Sequence, residues 1–252
     1  MLYFQGQGYK PAEIPQRIIS LVPSQTELLY FLGVSPIAQT IFCVHPTEKF
    51  KSATKIGGTK KLNIAKILAL KPDLIIGNKE ENDQTQIEEL AKSTNVWLSD
   101  IYNLDDAFIM MEEVGLLIGK KLQSKQLVKK IKDKFNTLAS KKSKKSCLYL
   151  IWREPYMAAG QSTFINAILQ VFGYKNVLPA ASRYPAISST DLLILNPEII
   201  LLSSEPYPFK QKHIRELQKI LPKSEVRLVN GELFSWYGPR LLETIKLADE
   251  LI

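Results

Sequence analysis

The stretch LDDAFIMMEEVGLLIGKKLQSKQLVKKIKDKFNTL, residues 104–138, contains no proline. Its apolar residues Phe108, Met111, Val114, Leu117, Ile118, Leu122, Leu127, Val128, Ile131, Phe135 and Leu138 recur at helical spacing. Lysines fill the other faces, at Lys120, Lys121, Lys125, Lys129, Lys130, Lys132 and Lys134. An unbroken helix over that span would be roughly 50 Å long at the rise of an α-helix. That exceeds the diameter of a small domain, so the helix is expected to run between two bodies. Gly115 and Gly119 weaken its first third, and the alternative is two ordinary helices meeting near Gly119.

The sequence on the two sides of this stretch is alike. Residues 62–77 read LNIAKILALKPDLIIG and residues 188–202 read SSTDLLILNPEIILL. Each predicts a short helix, a polar residue, a proline with an acid after it, and a buried apolar strand. Pro72 and Pro197 lie 125 positions apart. A proline suits such a corner because it disfavours helix in the residue before it. The runs at 74–76 and 199–202 do not alternate, which suits parallel strands covered on both faces. The predicted fold class is therefore α/β: two similar lobes of parallel sheet flanked by helices, joined by one long rigid helix. Its segments are an extended approach (1–13), an N-terminal lobe (14–103), the linking helix (104–142) and a C-terminal lobe (143–252).

Composition permits two lobes with real cores: 252 residues, 45% apolar and 23% charged. No apolar run approaches the roughly 20 residues that span a bilayer. The net charge of +8 sits largely on the lysine face of 104–138 and in the run 141–145. No arginine-rich arm or basic–aromatic interleaving accompanies it, which argues against a nucleic-acid partner. Cys43 and Cys147 show neither CxxC nor metal-ligand spacing and are expected to be inert buried thiols. Residues 2–6, LYFQG, look like the remnant of an engineered protease site and are set aside from fold reasoning. On that reading a signal or lipidation segment has been replaced.

Residues 17–22 predict a first strand that runs into a helix at 28–32, stopped at Gly33. Ser24 reads as its N-cap, forming a capping box with Glu27. The same strand-to-helix corner would leave amides facing the crevice at the strand's carboxyl end, where open α/β sheets bind ligands. A strand is expected within 34–43, turns at 44–46 and 56–59, a helix over 86–92 and a strand at 96–99. His45, beside a proline, reads as a satisfied turn residue. The second half repeats the pattern: a strand at 147–152, a helix to Val171 ended by Gly173, a helix over 211–221, a strand at 226–229 and a closing helix over 241–251. Phe42, Trp152, Tyr156, Tyr184, Tyr207, Trp236 and Tyr237 all fall in predicted strand-end loops. Rings concentrated there suggest a crevice that grips a large, partly apolar ligand.

Residues 17–27 (RIISLVPSQTE), 67–75 (ILALKPDLI) and 238–240 (GPR) resemble the class III, helical-backbone substrate-binding proteins of ABC importers, closest to the vitamin B12-binding branch. The resemblance covers essentially the whole chain after residue 6. It implies two α/β lobes joined by one rigid helix, with the ligand between them. Carried over by position, the ligand contacts are Pro23, Ser24, Gln25, Phe42, Thr59, Asn78, Tyr156, Tyr184, Glu232 and Trp236. Thr59 and Asn78 stand where the B12 binder has tryptophans, and Tyr184 only partly replaces a third. The family docks its permease through one glutamate per lobe. Ala65 and Thr190 stand at those positions, which leaves Asp191, Glu80 and Glu81 as the docking acids.

The expected function is capture of a corrinoid ligand for an ABC importer, with a ferric siderophore or haem as the alternative ligand. Aromatic burial would supply affinity; Ser24, Glu232 and loop amides would set orientation. A stand-alone sensor or carrier without a standard permease is a further alternative. No intrinsic cofactor or metal is expected; the bound ligand would be cobalamin, haem or a ferric chelate, whose metal His45 or Tyr184 could ligate. The sequence holds no P-loop, nucleophile elbow, HExxH or GxGxxG after a strand. A carboxylate pair of Glu154 with Glu232 is the only catalytic arrangement to consider, so no enzyme activity is expected. The expected partner is the permease, the expected state a monomer, and the expected location the periplasm or the outer face of the cytoplasmic membrane.

Overall fold

Leu74, Ile75 and Ile76 are all wholly buried, as are Ile200, Leu201 and Leu202, because each run lies in the interior of a sheet covered on both faces. The structure, a computed structural model, describes residues 1–138, 143–178 and 183–251. Lys141, Lys142 and Ser182 lie outside the described residues.

In chain order the first half holds β1 (Leu2–Phe4), β2 (Ile18–Ser20), α1 (Pro23–Phe31), β3 (Ala38–Gln39), α2 (Thr47–Ser52), α3 (Ile64–Ala69), β4 (Leu74–Asn78), α4 (Gln84–Ala91), β5 (Asn95–Ser99), α5 (Leu104–Leu117) and α6 (Lys121–Thr137). Its five strands form one parallel sheet in the order β1-β5-β4-β2-β3. Ile19, Ile75, Val96, Ile67 and Ile87 centre its core. The second half holds β6 (Ser146–Trp152), β7 (Tyr156–Ala158), α7 (Phe164–Val171), β8 (Lys175–Asn176), β9 (Ala186–Ile187), α8 (Ser189–Leu195), β10 (Ile199–Ser203), α9 (Gln211–Ile220), β11 (Glu225–Val229), α10 (Glu232–Ser235) and α11 (Leu241–Leu251). Its sheet is mixed. β6, β8, β10 and β11 are parallel, whereas β7 pairs antiparallel with β6 and β9. Leu148, Leu150, Ile200, Leu202 and Leu217 lie in its core. The two-lobe α/β class read from the sequence is the architecture found.

By contacts the chain divides into two compact units. The first comprises Met1–Ile101, Asp105–Lys132 and Trp236–Leu241; the second comprises Tyr102–Leu104, Asp133–Ser235 and Leu242–Ile252. Residues 105–132 thus pack with the first unit, and Trp236–Leu241 return to it.

Each proline corner is built the same way. Just past α3 stands Lys71 and just past α8 Asn196, both in the left-handed region, with φ of 46° and 36°. That twist turns the chain out of the helix and straight into a proline that cannot continue it. The Pro72 carbonyl accepts the Thr94 hydroxyl at 2.8 Å, and the Pro197 carbonyl accepts the Ser224 hydroxyl at 2.6 Å. Thr94 and Ser224 each stand one residue before the next strand of their sheet.

The unbroken helix over 104–138 is corrected to the alternative of two. α5 stops in a Schellman turn: the Gly119 amide donates to Leu116 and the Lys120 amide to Gly115. Gly119 has φ +70°, which a side chain would resist. The lysine-rich α6 starts afresh after it. Residues 2–4, set aside as a processing remnant, form a strand on β5. Leu2, Tyr3 and Phe4 pair with Val96, Trp97 and Leu98, and Leu2 and Phe4 pack on the first core.

Candidate functional site

In the first unit the carboxyl ends of β2, β3 and β4 carry most of the residues singled out from the sequence. β2 feeds α1 through Val22, which is the N-cap, and Pro23 is the first helical residue. The capping box expected from Ser24 and Glu27 does not form, and Val22 makes no side-chain cap bond. Proline's fixed φ and missing amide favour it at the first helical position, so the helix begins two residues earlier than the box requires. Ser24 is buried inside the first turn, and Glu27 turns to Arg240 instead.

Gln25 is wholly buried. Its amide nitrogen donates to the Gly77 carbonyl at 2.9 Å and to the Ser99 hydroxyl at 2.7 Å. Asn78, the last residue of β4, donates to the same hydroxyl at 3.0 Å. The Asn78 side-chain Oδ1 accepts the backbone amides of Glu80 and Glu81, and its own backbone amide donates to Asn82 Oδ1. Asn78 is thus a buried organiser of the loop that follows it. Tyr237 closes the network: it lies within bonding reach of Ser99 and donates to Glu81 at 3.1 Å. Burial, with the Glu81 carboxylate beside it, pushes the Tyr237 phenol well above its ordinary value.

Phe42 and Thr59 come together. They line a depression of about 990 Å³ with Ile41, Gly57, Gly58 and Lys60. Phe42 is 53% exposed and Ile41 48% exposed, while the Phe42 ring lies against Gly58. Large apolar side chains left open beside a concavity are the kind of surface that takes a ligand. Trp236 is buried rather than at a loop tip. His45 meets its ring edge-on at 5.4 Å and the Arg240 guanidinium lies 5.1 Å from it. His45 is therefore engaged with a ring, in keeping with a satisfied turn residue.

In the second unit Trp152, 40% exposed at the end of β6, meets Tyr207 edge-on at 5.8 Å. Tyr207 and Phe209 surround the buried His213. The His213 Nδ1 accepts the Lys210 amide at 2.8 Å, so the neutral ring carries its proton on Nε2, 3.4 Å from the Tyr207 oxygen. Burial pushes the His213 imidazole below its ordinary value. Tyr156 is half-buried in β7, within bonding reach of Arg153. Tyr184 is half-buried, with the Arg183 guanidinium 6.0 Å from its ring. Glu232 opens α10, half-buried. Glu154 is exposed and paired with Arg153 at 2.6 Å.

Asp191 forms a capping box with Ser188, whose hydroxyl and amide hold its carboxyl below the usual carboxylate range. Glu80 and Glu81 are half-buried in the loop after β4. Among the described residues no group of three or more His, Cys, Asp or Glu is placed to hold a metal ion, and no helix is long and apolar enough to cross a membrane. Cys43 and Cys147 are free and buried. The Gln25–Ser99–Tyr237–Glu81 network and the Glu27–Arg240 pair were not foreseen. Their members are separated by up to 213 residues, and no local periodicity encodes such pairings.

Residues 18–221 match the family described as "Periplasmic binding protein". The chain belongs to that family, which consists of substrate-binding transport proteins and not enzymes. It is 27% identical over 239 residues to a vitamin B12-binding protein of Pectobacterium carotovorum, covering 91% of this chain and 85% of that protein. It is 26% identical over 257 residues to an uncharacterized ABC transporter substrate-binding lipoprotein, YvrC, of Bacillus subtilis, covering 94% and 80%. Its fold superposes with a TM-score of 0.80 on the periplasmic haem-binding protein BhuT solved with two haems, at 18% identity and covering 94% and 99%. This is a periplasmic binding protein of the ABC-importer type, from the group that includes B12, haem and siderophore binders.

Proposed function

We propose that this protein captures a corrinoid of the vitamin B12 type and delivers it to an ABC permease at the outer face of the cytoplasmic membrane. The similarity to the Pectobacterium B12-binding protein along nine-tenths of the chain carries this reading. The depression beneath Ile41 and Phe42 supports it, because a corrin face is broad and apolar and the two side chains stand open to meet one. Thr59 lines the same depression, whereas Ser24, Asn78 and Trp236 are buried side chains of the same unit. In the second unit Tyr156, Tyr184 and Glu232 are the half-buried contacts. A haem or a ferric siderophore is the second reading, favoured by the likeness to the haem-binding fold. For permease docking we propose Asp191, exposed at the start of α8, with Glu80 and Glu81 as the acids of the first unit.

Incubation with cyanocobalamin, cobinamide, haemin and ferric chelates, followed by desalting and absorbance, separates these readings. A bound ligand also raises the melting temperature by mass action. Retention of cobalamin or cobinamide supports the corrinoid reading. Retention of haemin or a ferric chelate alone replaces it with the second. No retention and no thermal shift with any of the four overturns both.

A further inference from the structure

Residues 236–241 follow the second unit in sequence, and they touch the start of α1 and the loops after β3 and β4 of the first unit. Trp236 meets His45, beyond β3, at 5.4 Å. Tyr237 donates to Glu81, beyond β4, at 3.1 Å. Gly238 passes the Ser24 carbonyl, beyond β2, so closely that a Cβ would lie 3.3 Å from that oxygen, and its φ is +110°. Arg240 grips Glu27 of α1 with two bonds, Nε to Oε2 at 3.1 Å and Nη2 to Oε1 at 2.6 Å. Side-chain exposures of 13% and 18% set this pair apart from the solvated ion pairs of the surface. A two-pronged guanidinium–carboxylate contact fixes angle as well as distance.

We propose that residues 236–241 act as a strap, with Tyr237 and Arg240 as positioning residues that hold the start of α1 and the loops after β3 and β4 in one arrangement. The strap's contacts fall on three separate places, the loop after β3, the loop after β4 and the start of α1, and the Tyr237 and Arg240 bonds are directional. A segment that only filled space would need apolar contact with the sheet face and no such distribution. Tyr237 also joins the Gln25–Ser99–Asn78 network, so the loop after β4 is held from the strap and from α1 at once. The strap rests on the binding reading only in that these are the loops proposed to meet ligand.

Hydrogen exchange read by mass spectrometry on the full chain, without ligand, tests it. Tyr237→Phe keeps the ring and removes one hydroxyl; Arg240→Lys keeps the charge and removes the fork. The expected result is local. Tyr237→Phe raises exchange of residues 78–82 roughly five- to tenfold, and Arg240→Lys does so for the first turns of α1. Peptides from β6 and β10 stay at the wild-type rate. Faster exchange confined to 236–241 overturns the proposal, because the loops then hold themselves. An even rise in both units, or a large fall in melting temperature, overturns it too, because the strap then adds only general stability. Since no ligand enters the test, its failure leaves the corrinoid reading standing, and failure of that reading leaves the strap standing.

Discussion

Asp73 and Glu198 stand in the same relation to their two sheets: each carboxylate, directly after a helix-ending proline, accepts the backbone amide that opens the neighbouring strand. Asp73 takes the amides of Gln16 at 2.7 Å and Arg17 at 3.0 Å, just before β2. Glu198 takes the amide of Ser146 at 2.7 Å, at the first residue of β6. The registers agree: Ile18 faces Leu74, and Cys147 faces Ile199. The proline–acid signature that repeats in the sequence is thus a device for setting strand register.

Replacing either acid removes that clamp. Asp73→Ala is expected to cost on the order of 1 kcal/mol in chemical denaturation. Glu198→Ala lowers the melting temperature in the same direction. Ser146's amide and hydroxyl hold the Glu198 carboxyl below its ordinary value of 4.5. Its stabilisation is therefore present above that value and lost as the pH falls through the lowered one. The difference in melting temperature between wild type and Glu198→Ala should shrink in acid; a difference independent of pH would contradict the assignment.

His213 predicts a second pH dependence. Its lowered value means that the neutral ring, accepting the Lys210 amide, is the form that stabilises α9. That contribution is full above the ordinary value of 6.5 and fades as the pH falls through the lowered one. His213→Asn keeps a short acceptor near the same amide but cannot titrate. Its melting temperature should fall less between pH 7 and pH 5 than that of the wild type.

Gly119→Ala should destabilise the chain by about 1 kcal/mol, since a Cβ is strained in the left-handed region. Chemical denaturation measures this directly. A variant as stable as wild type would show that the α5–α6 turn can be rebuilt without the left-handed residue.

Phe42→Ala separates stability from binding. The ring is more than half exposed, so the melting temperature should change by little. Affinity for the retained ligand should fall by roughly tenfold or more, as for loss of an aromatic anchor. Titration followed by absorbance gives the number, and unchanged affinity would remove the depression from the binding site.

Deleting residues 1–8 uncovers the edge of β5 and removes Leu2 and Phe4 from the first core. The shortened chain should melt at a lower temperature and associate more readily through the opened edge. Light scattering at raised concentration would show it.

Much of this architecture was legible in the residues. Buried runs without alternation marked β4 and β10, and the proline corners marked their entrances. Gly33, Gly119 and Gly173 marked the helix stops. The misreadings have local causes. Ser24 has the chemistry of an N-cap, but Pro23 takes the first helical position and moves the cap to Val22. α2, with no buried residue, shows no apolar face for periodicity to find. β7 and β9 are three- and two-residue strands whose pairing depends on antiparallel neighbours that no local pattern reveals. Of the candidate site, Phe42 and Thr59 converge on one depression. Asn78 and Trp236 hold loops in place, because residue type signals capacity for contact but not which side of a loop it faces.

A chain is made from one end, and here a stitch of its first unit is placed 213 positions after the residue it holds. Glu27 and Glu81 wait for partners 213 and 156 positions downstream. Until Arg240 has been synthesised, Glu27 has no guanidinium to bind, so on a ribosome that contact forms long after the helix that carries Glu27 has emerged.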